Sequence, residues 1–146
     1  MLGKTAGGLY WMFRFLERSE NIARLIEAGS RIALTRSRDV GSDWKSVVMT
    51  AGVRHGYDQK YGSYTATDVV DYLLRDPDNP SSVISAVENA RTNARMVRTA
   101  LTTEVWEAVN ENWMAMKDLL RRPVRDADLP ALLGEIRRHS ALVRGA

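Results

Sequence analysis

Apolar side chains return every three or four positions along most of this chain. In its first stretch they are Leu9, Met12, Phe13, Leu16, Ala23, Ile26 and Ala33, the repeat of one helix face. The pattern predicts one long helix over 5–36 with Thr5 as its N-cap. Gly7, Gly8 and Gly29 weaken it, each by about 1 kcal/mol relative to alanine. Gly41, Ser42 and Asp43 read as a turn and cap before a second helix from Trp44 to Arg54. Residues 55–64 carry Gly56 and Gly62 among Tyr57, Tyr61 and Tyr64 without a helical period, so a loop is expected, either a binding loop or a lid held by its rings. Thr65 or Thr67 caps a short helix bearing Val69, Val70, Tyr72, Leu73 and Leu74, and Asp76-Pro77-Asp78-Asn79-Pro80 stops it. Ser81 or Ser82 opens a helix reaching about Leu101. Thr102 or Thr103 caps another from Glu104 to Arg122, ended by Pro123. The last helix starts at Asp126 or Asp128, with Pro130 accommodated in its first turn. No stretch alternates with the period of a strand. The expected fold is therefore all-α: a bundle of five to six helices with a long N-terminal helix.

Length and composition narrow the function classes. A chain of 146 residues is expected to form a single domain over 1–146. With 45% hydrophobic and 27% charged residues it has the balance of a globular protein, which excludes disordered and collagen-like chains. No apolar run is long enough to span a bilayer. Arg14, Glu17 and Arg18 break the first apolar stretch, so it does not read as a secretory signal. Cysteine is absent, which excludes disulfides, thiol chemistry and thiolate-bound metals and fits a cytoplasmic location. His55 and His139 are the only histidines; neither a metal site, nor a cofactor, nor a catalytic residue is expected. The net charge of +3 is spread along the chain, which points away from nucleic acid as the partner. Lysine occurs only at Lys4, Lys45, Lys60 and Lys117, so arginine supplies the rest of the twenty-one basic residues, as suits hydrogen-bonded networks and anion binding and equally as a GC-rich genome would produce. The final residues, 140–146, lie within an apolar repeat without a cap, and the expectation is that sequence continues beyond them.

Two polar stripes carry the candidate chemistry. On the opening helix, Arg14, Glu17, Glu20, Asn21 and Arg24 share one face, with Arg18 beside them. Apolar surroundings lead us to expect this stripe against the core. Exposed ion pairs, a buried structural network and a functional site all fit the spacing. The second stripe is Glu88, Arg91, Arg95 and Arg98. Three arginines on one stripe repel each other unless anions face them. The next helix offers Glu104, Glu107 and Glu111, so interhelical Arg–Glu pairing is expected, with an anion-binding groove as the alternative. Trp106, Val109, Trp113, Met116 and Leu120 read as a packing seam, which places both tryptophans in the core. No Ser–His–Asp order, Walker loop, zinc-protease motif or dinucleotide fingerprint is present.

The run from Thr5 to Arg24, Thr-Ala-Gly-Gly-Leu-Tyr-Trp-Met-Phe-Arg-Phe-Leu-Glu-Arg-Ser-Glu-Asn-Ile-Ala-Arg, resembles the start of the bacterial alpha-E family, a helical domain named for its Glu-Arg motif. Residues 88–98, Glu-Asn-Ala-Arg-Thr-Asn-Ala-Arg-Met-Val-Arg, with Glu104-Val-Trp-Glu107 and Asn110-Glu-Asn-Trp113, resemble a second block of that family. The resemblance implies that this chain is the N-terminal half of a protein about twice as long, prone to self-association. It also implies partners: a circularly permuted ATP-grasp ligase and a transglutaminase-like protein, encoded beside such domains or fused to them. It carries over no catalytic residue. The leading expectation is a non-catalytic accessory domain that binds the ligase or its peptide substrate. An enzyme using Glu17 or Glu20 as acid/base, with Arg24 and Arg91 or Arg95 as an anion clamp, is one rival. A purely structural half-domain is the other.

Overall fold

The computed structural model describes residues 2–35 and 40–146. Among them are seven α-helices and no strand: α1 (Leu2–Thr35), α2 (Val40–Thr50), α3 (Arg54–Lys60), α4 (Ala66–Arg75), α5 (Val83–Met96), α6 (Thr103–Leu119) and α7 (Leu129–Gly145). Short 3-10 turns at Arg98–Ala100 and Asp126–Asp128 precede α6 and α7. The all-α fold and the long first helix match the sequence expectation; the helix count exceeds it. Thr65, Ser82 and Thr102 are the caps, their hydroxyls each accepting at 3.2 Å from the N–H groups of Asp68, Ser85 and Val105.

The helix missing from the sequence reading is α3, placed where a loop was expected. Gly56 is there for close approach, since a Cβ at that position would collide with the Tyr72 hydroxyl. Tyr57 is fully buried. Its ring stacks on Tyr61 and Tyr64, both at 4.8 Å between centroids, and meets Tyr72 edge-on at 5.4 Å. Its hydroxyl donates to the Ser63 carbonyl at 2.7 Å. Burial, with the Asp68 charge adding to it, pushes the Tyr57 pKa up to about 12. Tertiary packing of one ring thus overrides the weak local signal of a seven-residue helix.

Other boundaries shift for local reasons. Because α1 begins at Leu2, Thr5 lies inside it and is not its cap; the expected end at Arg36 lies outside the described residues. Gly41, Ser42 and Asp43 form the first turn of α2 instead of preceding it. Gly52, at φ +74, reverses the chain after α2. α5 stops at Met96, and the buried Val97 turns in against Gly8 of α1.

α1 packs chiefly against α5 and α7, and α6 closes on the same two helices. Met12, Leu16, Ala23 and Ile26 are buried at the predicted spacing. One core cluster joins the second half of α1 to α2, α3 and α4, the start of α5, the end of α6 and the start of α7. A smaller one, Met12, Leu16, Ala90, Ala94, Val109 and Val143, fills the other end. Gly29 marks a close approach: a Cβ there would stand 2.8 Å from Val47 Cγ2 and 3.0 Å from Trp44 Cζ3. The local helix penalty at this glycine is the condition for that contact.

Candidate functional site

The first stripe lies mostly in water, contrary to expectation. Arg14, Glu17, Asn21 and Arg24 are exposed and Arg18 is half-buried; within the stripe only Glu20 is buried. The reason is angular. Glu20 flanks Leu16 and Ala23 on the side that meets α7, while Glu17, Asn21 and Arg24 fall beyond it. Arg14 Nη1 and Glu17 Oε2 form an exposed pair at 3.6 Å. The Arg18 guanidinium sits over the Phe15 ring, 5.5 Å from its centroid, and Phe15 in turn meets the exposed Trp11 at 5.8 Å.

Glu20 belongs to a seam that sequence reasoning missed. Its Oε1 accepts from Arg144 Nη2 at 2.7 Å and lies 3.7 Å from Arg24. Two turns along, Glu27 pairs with Arg137 of α7 and, at 3.4 Å, with Arg31. Next to Glu20 on α1, the Ser19 and Ser140 hydroxyls both donate to the Leu16 carbonyl, at 2.7 and 3.1 Å. The signal was in the sequence: Glu20 to Glu27 and Arg137 to Arg144 have the same seven-residue spacing, as antiparallel helices facing each other require.

His139 lies on the same helix and is buried. Burial lowers its pKa, with Arg138 adding to the effect and the carboxylates of Glu135 and Glu111 opposing it. The unfolded chain therefore binds this proton more readily than the folded one, so stability is lost as pH falls below the ordinary histidine value. The urea midpoint should drop between about pH 7.5 and about pH 5.5 more steeply for the natural chain than for His139→Gln. Equal slopes would remove His139 as the cause.

The second stripe departs from the expected Arg–Glu pairing. Arg91 Nε donates to Asn110 Oδ1 at 3.0 Å, and its guanidinium lies 4.0 Å from the Trp113 ring centroid. Arg98 covers Trp106 at 4.7 Å, Lys117 also lies 4.7 Å from the Trp113 ring centroid, and the Trp113 N–H donates to the Glu88 carboxylate. Trp106, Asn110, Trp113 and Lys117 turn toward α5, whereas Glu104, Glu107 and Glu111 are exposed elsewhere on α6. Both tryptophans are half-buried under cations, packed against the edges of the two core clusters instead of inside them. Val109, Asn112 and Met116 take the core positions. Arg95 is exposed and has neither ion-pair nor hydrogen-bond partner among the described residues. Met96 and Met114, 62% and 56% exposed, flank this ridge.

Glu17 and Glu20 share no hydrogen bond or ion pair with Arg91, Arg95 or Arg98 among the described residues. Of the groups in the acid/base-and-clamp reading, Glu20 and Arg24 pair, at 3.7 Å. Among those residues no three His, Asp or Glu side chains gather as a metal site.

The sequence profile of the Alpha-E family, "a predicted alpha-helical domain with a conserved ER motif", matches residues 1–146. The chain belongs to the Alpha-E family. Its one Glu-Arg dipeptide is Glu17-Arg18, the exposed Glu17 and the half-buried Arg18 of α1. Among curated proteins it is similar to an uncharacterised protein of Mycobacterium bovis and one of Mycobacterium tuberculosis, each 34% identical over 146 residues. A protein of a second M. tuberculosis strain is 33% identical. Each alignment covers 90% of this chain and 16% of the relative, so the Alpha-E chain spans a small part of the relatives' length. No solved structure matches it.

Proposed function

We propose that this Alpha-E domain is a non-catalytic docking module in the cytoplasm. It would serve a circularly permuted ATP-grasp ligase and a transglutaminase-like protein, binding the ligase or its peptide substrate through the α5–α6 ridge. The observation that supports this reading is the ridge itself. Half-buried Trp106 and Trp113 lie under Arg98, Arg91 and Lys117, beside the partnerless Arg95 and exposed Met96 and Met114. Tryptophan, arginine and methionine are the side chains enriched at protein interfaces, where rigid rings pre-pay the entropy of docking. A guanidinium held flat on a ring keeps its outer N–H groups for a partner's carboxylates or carbonyls.

Light scattering coupled to size exclusion, on the chain with a circularly permuted ATP-grasp ligase, tests the reading. A hetero-complex is expected. Arg95→Glu together with Arg98→Glu should weaken it about tenfold or more without changing the circular dichroism spectrum. Absence of any complex, with no effect on the ligase rate, would sink the proposal. A homodimer that ignores the ligase would favour the structural half-domain instead.

A further inference from the structure

Between Thr5 and Leu16 the first helix carries a single charge, Arg14. A helix that is apolar on nearly every side is normally covered on every side, yet this one is covered only in part. Met12 and Leu16 face the bundle, while Tyr10, Trp11 and Phe13 stand 57%, 47% and 39% exposed. At about 100° per residue these three fan across the whole arc that faces away from Met12. Tyr10 and Trp11 meet edge-on at 5.4 Å, and Trp11 leans on the half-buried Phe15. Single exposed rings need no explanation, but a contiguous patch of them marks a contact surface.

The charge around this patch is positive. Lys4, Arg14 and Arg24 are exposed and Arg18 is half-buried, against one exposed carboxylate, Glu17. Lys4 and Arg18 have no ion-pair partner among the described residues. The other carboxylate of this half of α1, Glu20, is buried and held by Arg144. The two helices that flank α1 here add no unengaged carboxylate: Glu88 of α5 accepts from Trp113, and Glu135 of α7 pairs with Arg138. The exposed glutamates of α6 lie diagonally across the bundle, since α6 packs on α5 and α7.

Shape and sign together select the occupant. A second copy would lay like charge against like charge, with Glu17 the one exposed acid to offset it. The patch is also a convex ridge, because it faces away from both α5 and α7, and a ridge offers no groove to a peptide. A soft, planar, anionic surface meets both conditions. Tryptophan and tyrosine settle where hydrocarbon meets headgroup, and lysine and arginine beside them extend to the phosphates.

We infer that this face of α1 docks on the surface of a membrane rich in anionic phospholipid, with Tyr10, Trp11 and Phe13 at headgroup level and Lys4, Arg14 and Arg18 on the phosphates. The helix lies on the bilayer: among the described residues no helix is long and apolar enough to cross one. The ridge of α5 and α6 stays clear of the lipid, because α6 is on the far side of the bundle from α1. The inference therefore does not depend on what that ridge binds.

Flotation of the full chain with vesicles tests this, using phosphatidylcholine alone and phosphatidylcholine with about one third phosphatidylglycerol. Binding to the anionic vesicles is expected, at least about tenfold tighter than to the neutral ones and strongly reduced in about 0.5 M salt. Tyr10→Ser together with Trp11→Ser should weaken it about tenfold or more. Lys4→Gln together with Arg18→Gln should do the same, at about fivefold per charge removed. Both variants should keep the natural circular dichroism spectrum. Arg95→Gln with Arg98→Gln, on the ridge, should bind vesicles as the natural chain does. No binding to the anionic vesicles would overturn the inference. So would binding that the α1 variants leave unchanged, or that the ridge variant removes. A dimer in free solution that Tyr10→Ser with Trp11→Ser dissociates, without vesicle binding, would give the face to a second copy instead.

Discussion

Tyr57→Ala should destabilise the chain by about 3–5 kcal/mol, the range for emptying a fully buried aromatic site. The ring sits between Tyr61 and Tyr64 and against Tyr72, so its loss takes a ring contact from each of the three and leaves Tyr61 and Tyr72 only their edge-on contact at 6.1 Å. It also removes the anchor of α3, a helix too short to persist alone. Tyr57→Phe keeps the stack and loses only the bond to the Ser63 carbonyl, a cost of about 1 kcal/mol. Gln59→Ala, on the exposed side of α3, should stay within about 0.5 kcal/mol of the natural chain. Urea midpoints rank the three. A Tyr57→Ala midpoint equal to that of Gln59→Ala would refute the anchoring role. Against a total stability of about 5–15 kcal/mol for a domain, the alanine variant is expected to be partly unfolded at modest denaturant.

Glu20→Ala should cost about 2 kcal/mol, the worth of a charge-assisted hydrogen bond in a partly buried setting. Its carboxylate is 3% exposed at the residue level and holds Arg144 across the α1–α7 seam. The effect stays moderate because Arg144 and Arg24 are 47% and 60% exposed and regain water when released. Glu17→Ala breaks only the 3.6 Å surface pair with Arg14 and should change stability by no more than about 0.5 kcal/mol. The pair of variants separates the two glutamates of the motif helix: Glu20 ties helices together, and Glu17 is available to a partner. Thermal melts of both, run side by side, decide it. An equal loss for the two would contradict the exposure difference on which the argument rests.

The parts of the fold that were legible are those where one helix face carries its own signal. The spacing of Met12, Leu16, Ala23 and Ile26 required no knowledge of distant contacts, and the caps at Thr65, Ser82 and Thr102 were each narrowed to one of two residues without any. α3 was not legible, because Gly56 and the tyrosines mean loop locally and mean helix only once Tyr72 is beside them. The polar stripes failed for a related reason. Spacing shows which residues share a face, but not where the neighbouring helix cuts across it. α7 crosses at Glu20 and leaves Glu17 in water. On α6, the tryptophans turn toward α5, and the glutamates that looked like partners for Arg91 and Arg98 are exposed away from them.

The seam between α1 and α7 has a consequence for synthesis. Leu16, Ser19, Glu20 and Glu27 find their partners in Arg137, Ser140 and Arg144, more than a hundred residues later in the sequence. At a translation rate of about 5–20 residues per second, the first helix waits on the order of ten seconds before its last neighbour exists. During that interval Leu16 and Met12 lack one wall, and α5 is the first long helix able to shelter them. Until α7 emerges, that face of α1 is open to water, and it is then that a chaperone or an early-docking partner has its best access to it.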